Sequence, residues 1–362
     1  MSRAWVRDAI LALRRDHARS ADTHLIHLPL ARYPGIDLYL KDESIHPSGS
    51  LKHRLARSLF LRGLCDGHIH EGTLIVEASS GSTAISEAFF ARLLGLPFLA
   101  VAPEGTAPAK LAAIAQAGGR LHLAPAGADI CVVAAQIAQE ANGCFMDQFT
   151  FAERATDWRG NNNIAESMFK QMAQEPHPAP RWVVVGAGTG GTSATIGRYV
   201  RYQPELSGTQ VCVVDPKGSA FFKGYRDRDW SVAGAVSPIV EGIGRPRVEP
   251  SFIASVVDRM ISVPDAASVA GARWLHGHLG RRFGPSTGTN LIGAMALAAE
   301  MVVAGERGSI VTLACDGGER YSDTVYCDHW LAARGVCFRA WMDFLERGGA
   351  QDWAGRLESA AH

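Results

Sequence analysis

Trp182-Val-Val-Val-Gly186-Ala-Gly188-Thr-Gly190-Gly191-Thr192 carries a short apolar, β-branched run into a glycine-rich turn and then into a helical pattern. Such a run predicts a strand buried on both faces, followed by a helix whose first N–H groups are open to an anion. Gly186, Gly188 and Gly191 also satisfy G-x-G-x-x-G, and Asp215 closes the next apolar run about where a ribose-binding acid would stand. On this segment alone, an NAD-dependent oxidoreductase and a phosphate-binding enzyme of another kind are both open.

The same texture extends to either side. Strands are expected at Leu38–Lys41, Thr73–Glu77, Pro97–Ala102, Arg120–Ala124, Arg181–Val185, Val211–Val214, Met260–Val263 and Ser309–Ala314. Between them, Leu51–Leu64, Thr83–Leu94 and Asp129–Ala141 place apolar residues at helical spacing. Alternation of this kind predicts an α/β fold of two lobes, each a mostly parallel twisted sheet with helices on both faces. The texture breaks at the polar, Asn-rich Phe151–Asn163 and at the proline-rich Pro176–Pro180. These breaks predict a smaller α/β lobe at residues 50–160, a larger lobe from 1–49 plus 161–333, and a helical extension at 334–362. The extension carries an apolar stripe of Phe338, Trp341, Phe344 and Leu345.

A chain of 362 residues exceeds what one core usually organises, in keeping with two lobes. Lys plus Arg and Asp plus Glu each total 36, so no global field favours nucleic acid or an acidic membrane. The 7 cysteines are irregularly spaced with no C-x-x-C, which predicts reduced, mostly buried thiols rather than disulfides or a zinc site. His68 and His70 read as residues of a surface turn, and no metal site is expected. The apolar run at Ile10–Leu13 is too short for a signal peptide, and no stretch approaches the roughly 20 apolar residues that span a bilayer. A soluble, cytoplasmic protein is the expectation.

Three further loops bear on the first. Glu77-Ala-Ser79-Ser80-Gly81-Ser82-Thr83 passes from strand to helix, and its hydroxyls and N–H groups suit either a carboxylate or a plain N-cap. Gly284-Pro-Ser286-Thr287-Gly288 opens another helix, where a cap is again the simpler reading. In Pro47-Ser48-Gly49-Ser50-Leu51-Lys52, a lysine begins a helix against the sense of its dipole. A lysine consumed in a covalent bond beside a phosphate accounts for that placement better than a solvated one.

Taken together, P-S-G-S-L-K at 47–52, S-S-G-S-T at 79–83, G-T-G-G-T at 188–192 and G-P-S-T-G at 284–288 resemble the cysteine synthase branch of the fold-type II pyridoxal-phosphate enzymes. The resemblance covers roughly residues 25–330 and displaces the dinucleotide reading. It implies that Lys52 binds pyridoxal 5'-phosphate covalently. Gly188, Thr189, Gly190, Gly191 and Thr192 would wrap the phosphate, and Ser286 would bond the pyridine nitrogen. Ser79, Ser80, Gly81 and Thr83 would take a substrate carboxylate, with Gln148 and Gly242 beside the substrate and Gly244 in the same flanking loop as Gly242. A serine at the ring nitrogen, in place of an aspartate, leaves the ring a weaker electron sink and favours loss of a β-substituent.

Two departures from the family matter. Ser82 stands where cysteine synthases usually have an asparagine at the cofactor's 3'-oxygen, and Gly244-Arg245-Pro-Arg247 is unusually basic. Both features, with G-E-R-Y at Gly318–Tyr321, are similar to bacterial cysteine desulfhydrases. The expected reaction is therefore β-elimination on L-cysteine, giving pyruvate, ammonia and hydrogen sulfide. β-Replacement of the O-acetylserine sulfhydrylase type is the alternative, and an NAD-dependent oxidoreductase is the remote one. The expected partner is a small amino acid, and enzymes resembling this one are commonly homodimers.

Overall fold

A computed structural model describes residues 2–19, 21–237 and 239–359. In chain order the first elements are α1 (Arg3–Arg19), β1 (His24–Leu28), β2 (Ile36–Asp42), α2 (Lys52–Cys65), β3 (Ile75–Ala78), α3 (Ser82–Leu93), β4 (Phe98–Pro103) and α4 (Pro108–Gln116). There follow β5 (Arg120–Ala124), α5 (Ile130–Glu140), β6 (Cys144–Phe145), α6 (Gln148–Ala155), α7 (Ile164–Met172), β7 (Trp182–Gly186), α8 (Gly191–Tyr202) and β8 (Gln210–Pro216). The chain closes with α9 (Ala220–Asp227), β9 (Arg259–Val263), α10 (Asp265–Leu279), α11 (Pro285–Val303), β10 (Gly308–Ala314), α12 (Asp328–Ala332), α13 (Arg339–Arg347) and α14 (Trp353–Ser359).

The chain divides into two compact units, Met1–Asp22 with His46–Asp157, and Thr23–Ile45 with Trp158–His362. The smaller unit is built on a four-stranded sheet in the order β5-β4-β3-β6, parallel throughout. Helices α2 and α3 bury Phe60, Leu64, Phe90 and Ala91 in its core together with Ile75 of β3. Residues 1–22 belong to this unit, whereas the sequence reading placed 1–49 in the larger one. The reason is the apolar face of α1, which sets Ala9 and Leu13 into the same core.

The larger unit holds a six-stranded sheet, β1-β2-β10-β7-β8-β9, parallel except where β1 pairs antiparallel with β2. Strands β7, β8 and β10 are buried on both faces, as their near-continuous Val, Ile and Cys content requires in a sheet covered on both sides. Helix α11 is buried almost all round, which its run of Ala, Leu, Ile and Met permits. The segment after Arg334 belongs to the same unit. Trp341, Leu345 and Trp353 enter its core, and the Trp353 indole N–H donates to the Tyr33 hydroxyl at 2.8 Å.

All seven cysteines are free, but only Cys212 and Cys315 are buried, while Cys65 and Cys337 are exposed. The expected mostly buried set is corrected, because several lie at helix ends and turns rather than in strands. His68 is exposed and His70 half-buried on a turn, and among the described residues no metal-holding cluster exists. No described helix is long and apolar enough to cross a membrane.

Candidate active site

In the larger unit, the turn between β7 and α8 is shaped by close backbone packing. A Cβ added at Gly188 would lie 2.2 Å from the Gly242 carbonyl oxygen, and one at Gly190 would lie 2.4 Å from the Phe252 Cα. Gly190 also holds φ at +89°, a conformation that disfavours any side chain. The Gly244 N–H donates to the Ala187 carbonyl at 2.9 Å, so the 240–244 segment and the glycine turn lie flat against each other. Within the turn, Thr189 Oγ1 accepts from the Gly191 N–H at 3.1 Å, and the Ser193 hydroxyl donates to the Gly190 carbonyl at 2.9 Å.

Gly284 and Pro285 open α11, whose second turn reaches the base of the glycine turn: a Cβ at Gly186 would come within 3.4 Å of Asn290 Oδ1. Around Ser286 the polar groups are engaged. Thr287 Oγ1 accepts from the Cys315 N–H at 3.0 Å, the Thr289 hydroxyl donates to the Ser268 hydroxyl at 2.7 Å, and Asn290 Nδ2 donates to the Leu313 carbonyl at 3.0 Å. Ser286 itself is 4% exposed, and its hydroxyl has no hydrogen-bond partner among the described residues. A nearly buried hydroxyl left unmatched in such a setting suits a ligand acceptor.

In the smaller unit, the loop from β3 to α3 presents Ser79, Ser80 and Gly81 half-buried, with open space around the Gly81 Cα. Ser79 Oγ accepts from the Gly81 N–H at 3.2 Å. The Thr83 hydroxyl donates to Gln148 Oε1 at 2.7 Å, and Gln148 is 4% exposed, so it is no surface-loop residue. Gln148 opens α6, and its N–H donates to Glu77 Oε2 at 3.2 Å. Lys52 is the first residue of α2, half-buried, with its N–H donating to Ser50 Oγ at 3.3 Å. The Ser48 hydroxyl joins the preceding loop to α3, 2.9 Å from Ser86 Oγ and 3.1 Å from His53 Nδ1.

The smaller unit therefore carries Lys52, Ser79, Ser80, Gly81, Ser82, Thr83 and Gln148, and the larger one Gly188, Thr189, Gly190, Gly191, Thr192, Gly242 and Ser286. The N-caps of α2, α3, α8 and α11 are Leu51, Gly81, Gly190 and Gly284, none with a side-chain cap, and no acidic residue lies in their first turns. Helices α5, α6, α7 and α9 are capped by Asp129, Asp147, Asn163 and Ser219, while α4 and α13, away from these loops, also start without a cap or an acid. The plain-cap readings of the Ser79 and Ser286 loops thus do not hold. Uncapped, acid-free helix starts leave the positive helix ends for an external anion. A phosphate at α8, a carboxylate at α3 and a ring nitrogen at Ser286 fit the residues present.

Three features escaped sequence reasoning. The basic Arg245 and Arg247 are tied to one buried carboxylate, Glu249, at 2.7 and 3.2 Å, so the basic run is a clamp behind the glycine turn. Their spacing of four and two residues from Glu249 was the available signal. Asp215 is fully buried, its Oδ2 accepting from the Phe222 N–H at 2.8 Å, which leaves it closed to a ribose hydroxyl. Burial pushes its carboxyl up to about 7. The third feature, a pair of buried glutamates at Glu77 and Glu87, had no local signature, Glu77 standing in β3 and Glu87 on a helix that also carries Ser86 and Arg92.

The chain is 57% identical to an L-cysteine desulfhydrase of Mycobacterium tuberculosis, over 93% of this chain and 92% of that one. It is 32% identical to an N-(2-amino-2-carboxyethyl)-L-glutamate synthase of Ralstonia nicotianae, over 82% of this chain and 84% of that one. Among solved structures, an O-ureido-L-serine synthase superposes with a TM-score of 0.74 at 25% identity, covering 86% of this chain and 96% of that one. A hydrogen sulfide-producing enzyme from Fusobacterium nucleatum superposes at 0.78 with 22% identity, over 88% and 93%, and shares the fold. Residues 19–316 match the family of pyridoxal-phosphate dependent enzymes. With that match spanning both units and all four loops, the chain belongs to the pyridoxal-phosphate dependent enzyme family.

Proposed function

We propose that this enzyme eliminates hydrogen sulfide from L-cysteine, with pyruvate and ammonia as the other products. The observation that carries elimination over replacement is the 57% identity, across nearly the full length of both chains, to an L-cysteine desulfhydrase. Lys52 would hold the cofactor, the α8 start at Gly188–Thr192 its phosphate, and Ser286 its ring nitrogen. The uncapped start of α3, with Ser79, Ser80, Gly81 and Thr83, would hold the substrate carboxylate, with Gln148 and Gly242 alongside. Ser82 would face the cofactor's 3'-oxygen with a hydroxyl in place of an amide.

Bound there, pyridoxal phosphate withdraws electrons from the substrate's α-carbon, so that an α-proton can leave and the β-sulfur follow. The Lys52 amine is the base that takes the proton from Cα. Ser286, as a neutral donor, does not hold a full proton on the ring nitrogen, which limits electron withdrawal and favours rapid loss of the β-substituent. The sulfur leaves as hydrogen sulfide, and water converts the remaining three-carbon fragment to pyruvate and ammonia. The protein would act in the cytoplasm as a homodimer.

A replacement reaction is the second reading, favoured by the synthase names of relatives near 30% identity. Mixing the purified holoenzyme with L-cysteine alone separates the two. Elimination predicts matched release of sulfide and pyruvate. No release, with cysteine formed from O-acetylserine and sulfide, would establish replacement.

A further inference from the structure

Glu77 and Glu87 are both fully buried, one at the end of β3 and the other on α3. Glu77 is well supplied: its Oε1 accepts from the Ala78 N–H at 2.7 Å and its Oε2 from the Gln148 N–H at 3.2 Å. These two donors favour a carboxylate at Glu77. Glu87 has the opposite surroundings. Among the described residues no N–H or O–H donor reaches either of its oxygens, and its strongest electrostatic neighbour is the Glu77 carboxyl, to which it can donate once protonated. Two acceptors in contact form a hydrogen bond only if one carries a proton, and two full charges side by side out of water are prohibitive. Glu87 is the partner with no other donor, so the proton resides on it and points at Glu77.

The surrounding groups reinforce this arrangement. Burial is the largest influence on both carboxyls, pushing Glu77 up to about 7 and Glu87 well above the ordinary range. Asp147, before α6, adds negative charge near Glu77. The Cys144 thiol on β6 is itself pushed up to about 11 by burial and is neutral at physiological pH. Arg62 on α2 lies near Cys144 and is bound to Asp66 at 3.4 Å. Among the described residues no cation acts on either carboxyl.

Thr83 and Glu87 are four residues apart on α3 and project from one face. Thr83 donates to Gln148, whose N–H donates to Glu77, whose carboxylate accepts a hydrogen bond from protonated Glu87. The circuit closes α3 against β3 and α6 at its first two turns, directly behind the Ser79–Thr83 loop. We propose that Glu87 is a positioning residue which, through one proton shared with Glu77, docks the start of α3 and sets that loop for the substrate carboxylate. The inference rests on the reading of that loop as the carboxylate site.

Loss of the shared proton leaves two adjacent carboxylates and releases the loop. The effect falls on substrate binding and not on the chemical step. In the holoenzyme, KM should climb by about tenfold from neutral to alkaline pH relative to the Glu87→Gln variant, the size of one buried hydrogen bond, with kcat unchanged. Glu87→Gln keeps a donor toward Glu77 but cannot titrate, so the ratio of the two KM values removes the ionisation of the amino acid itself. Glu87→Leu should show the raised KM at every pH. Infrared difference spectra of the resting protein should show a protonated-carboxyl band at neutral pH that Glu87→Gln lacks. That band is read without substrate, so it stands or falls separately from the identity of the amino acid consumed. Parallel KM profiles in wild type and Glu87→Gln, or a band unaltered by the substitution, would overturn the proposal. Should Glu87→Gln fail to fold, wild type decides: the band must vanish over the same pH range in which KM rises, and a separation of the two refutes the coupling.

Discussion

Three glycines around the β7–α8 turn differ in what an alanine would meet there. At Gly242, φ is +83° and nothing lies within 4 Å of an added Cβ, so Gly242→Ala carries only left-handed strain, about 1–2 kcal/mol. At Gly188 an added Cβ meets the Gly242 carbonyl oxygen at 2.2 Å, and backbone must move, an overpacking cost of about 1–3 kcal/mol. Gly190 combines both, with φ at +89° and the Phe252 Cα at 2.4 Å. Gly190→Ala should therefore cost about 2–5 kcal/mol. For a folding unit of 150–250 residues, each kcal/mol lowers the melting temperature by roughly 2–4 °C. Calorimetry should rank Gly190→Ala well below Gly188→Ala or Gly242→Ala. Dialysis followed by absorbance should show the cofactor lost from Gly190→Ala more readily than from Gly242→Ala. Equal melting of Gly190→Ala and Gly242→Ala would refute the reasoning, because the Phe252 segment would then yield freely and the turn would not be held by backbone contact. Gly190→Asp, which adds a negative charge at the α8 start, should not retain the cofactor at all.

Lys52→Ala should abolish turnover and the yellow colour, and an active, coloured variant would remove Lys52 from its assigned role. Ser82→Asn should raise the yield of β-replacement relative to pyruvate when a thiol is supplied, and an unchanged product ratio would make that serine incidental. Asp215 holds its proton to about 7 against an ordinary 3.8. Between those values the unfolded chain has released a proton that the folded chain keeps, so stability is full at acid pH and falls as pH rises through the window. Asp215→Asn should then gain stability relative to wild type at pH 8 compared with pH 4. Urea midpoints shifted equally at the two pH values would contradict this assignment.

Most strands were legible because a parallel strand buried on both faces must be apolar along its length, as Val183-Val-Val and Ile310-Val are. The four loops were legible as loops for a related reason: tight strand-to-helix turns need glycine and small hydroxyl residues at short, local spacing. Strand β1 was missed, since His24-Leu-Ile-His-Leu is broken by two histidines and gains its conformation from the antiparallel ladder with β2. Strand β6 is two residues long and exists through pairing with β3.

Local pattern thus specifies the α/β class, the helix starts and the residues on offer to a phosphate and a carboxylate, because each depends on a few neighbouring side chains. Tertiary packing settles what depends on distant partners. An amphipathic α1 could cover either core, and only its packing puts Ala9 and Leu13 beside Phe60. That the basic run at Arg245 and Arg247 is a clamp follows only from the burial of Glu249. Glu77 and Glu87 look like two ordinary acids in sequence. Water screens them as long as the chain is unfolded, and their shared proton arises only once folding removes that water and sets them face to face.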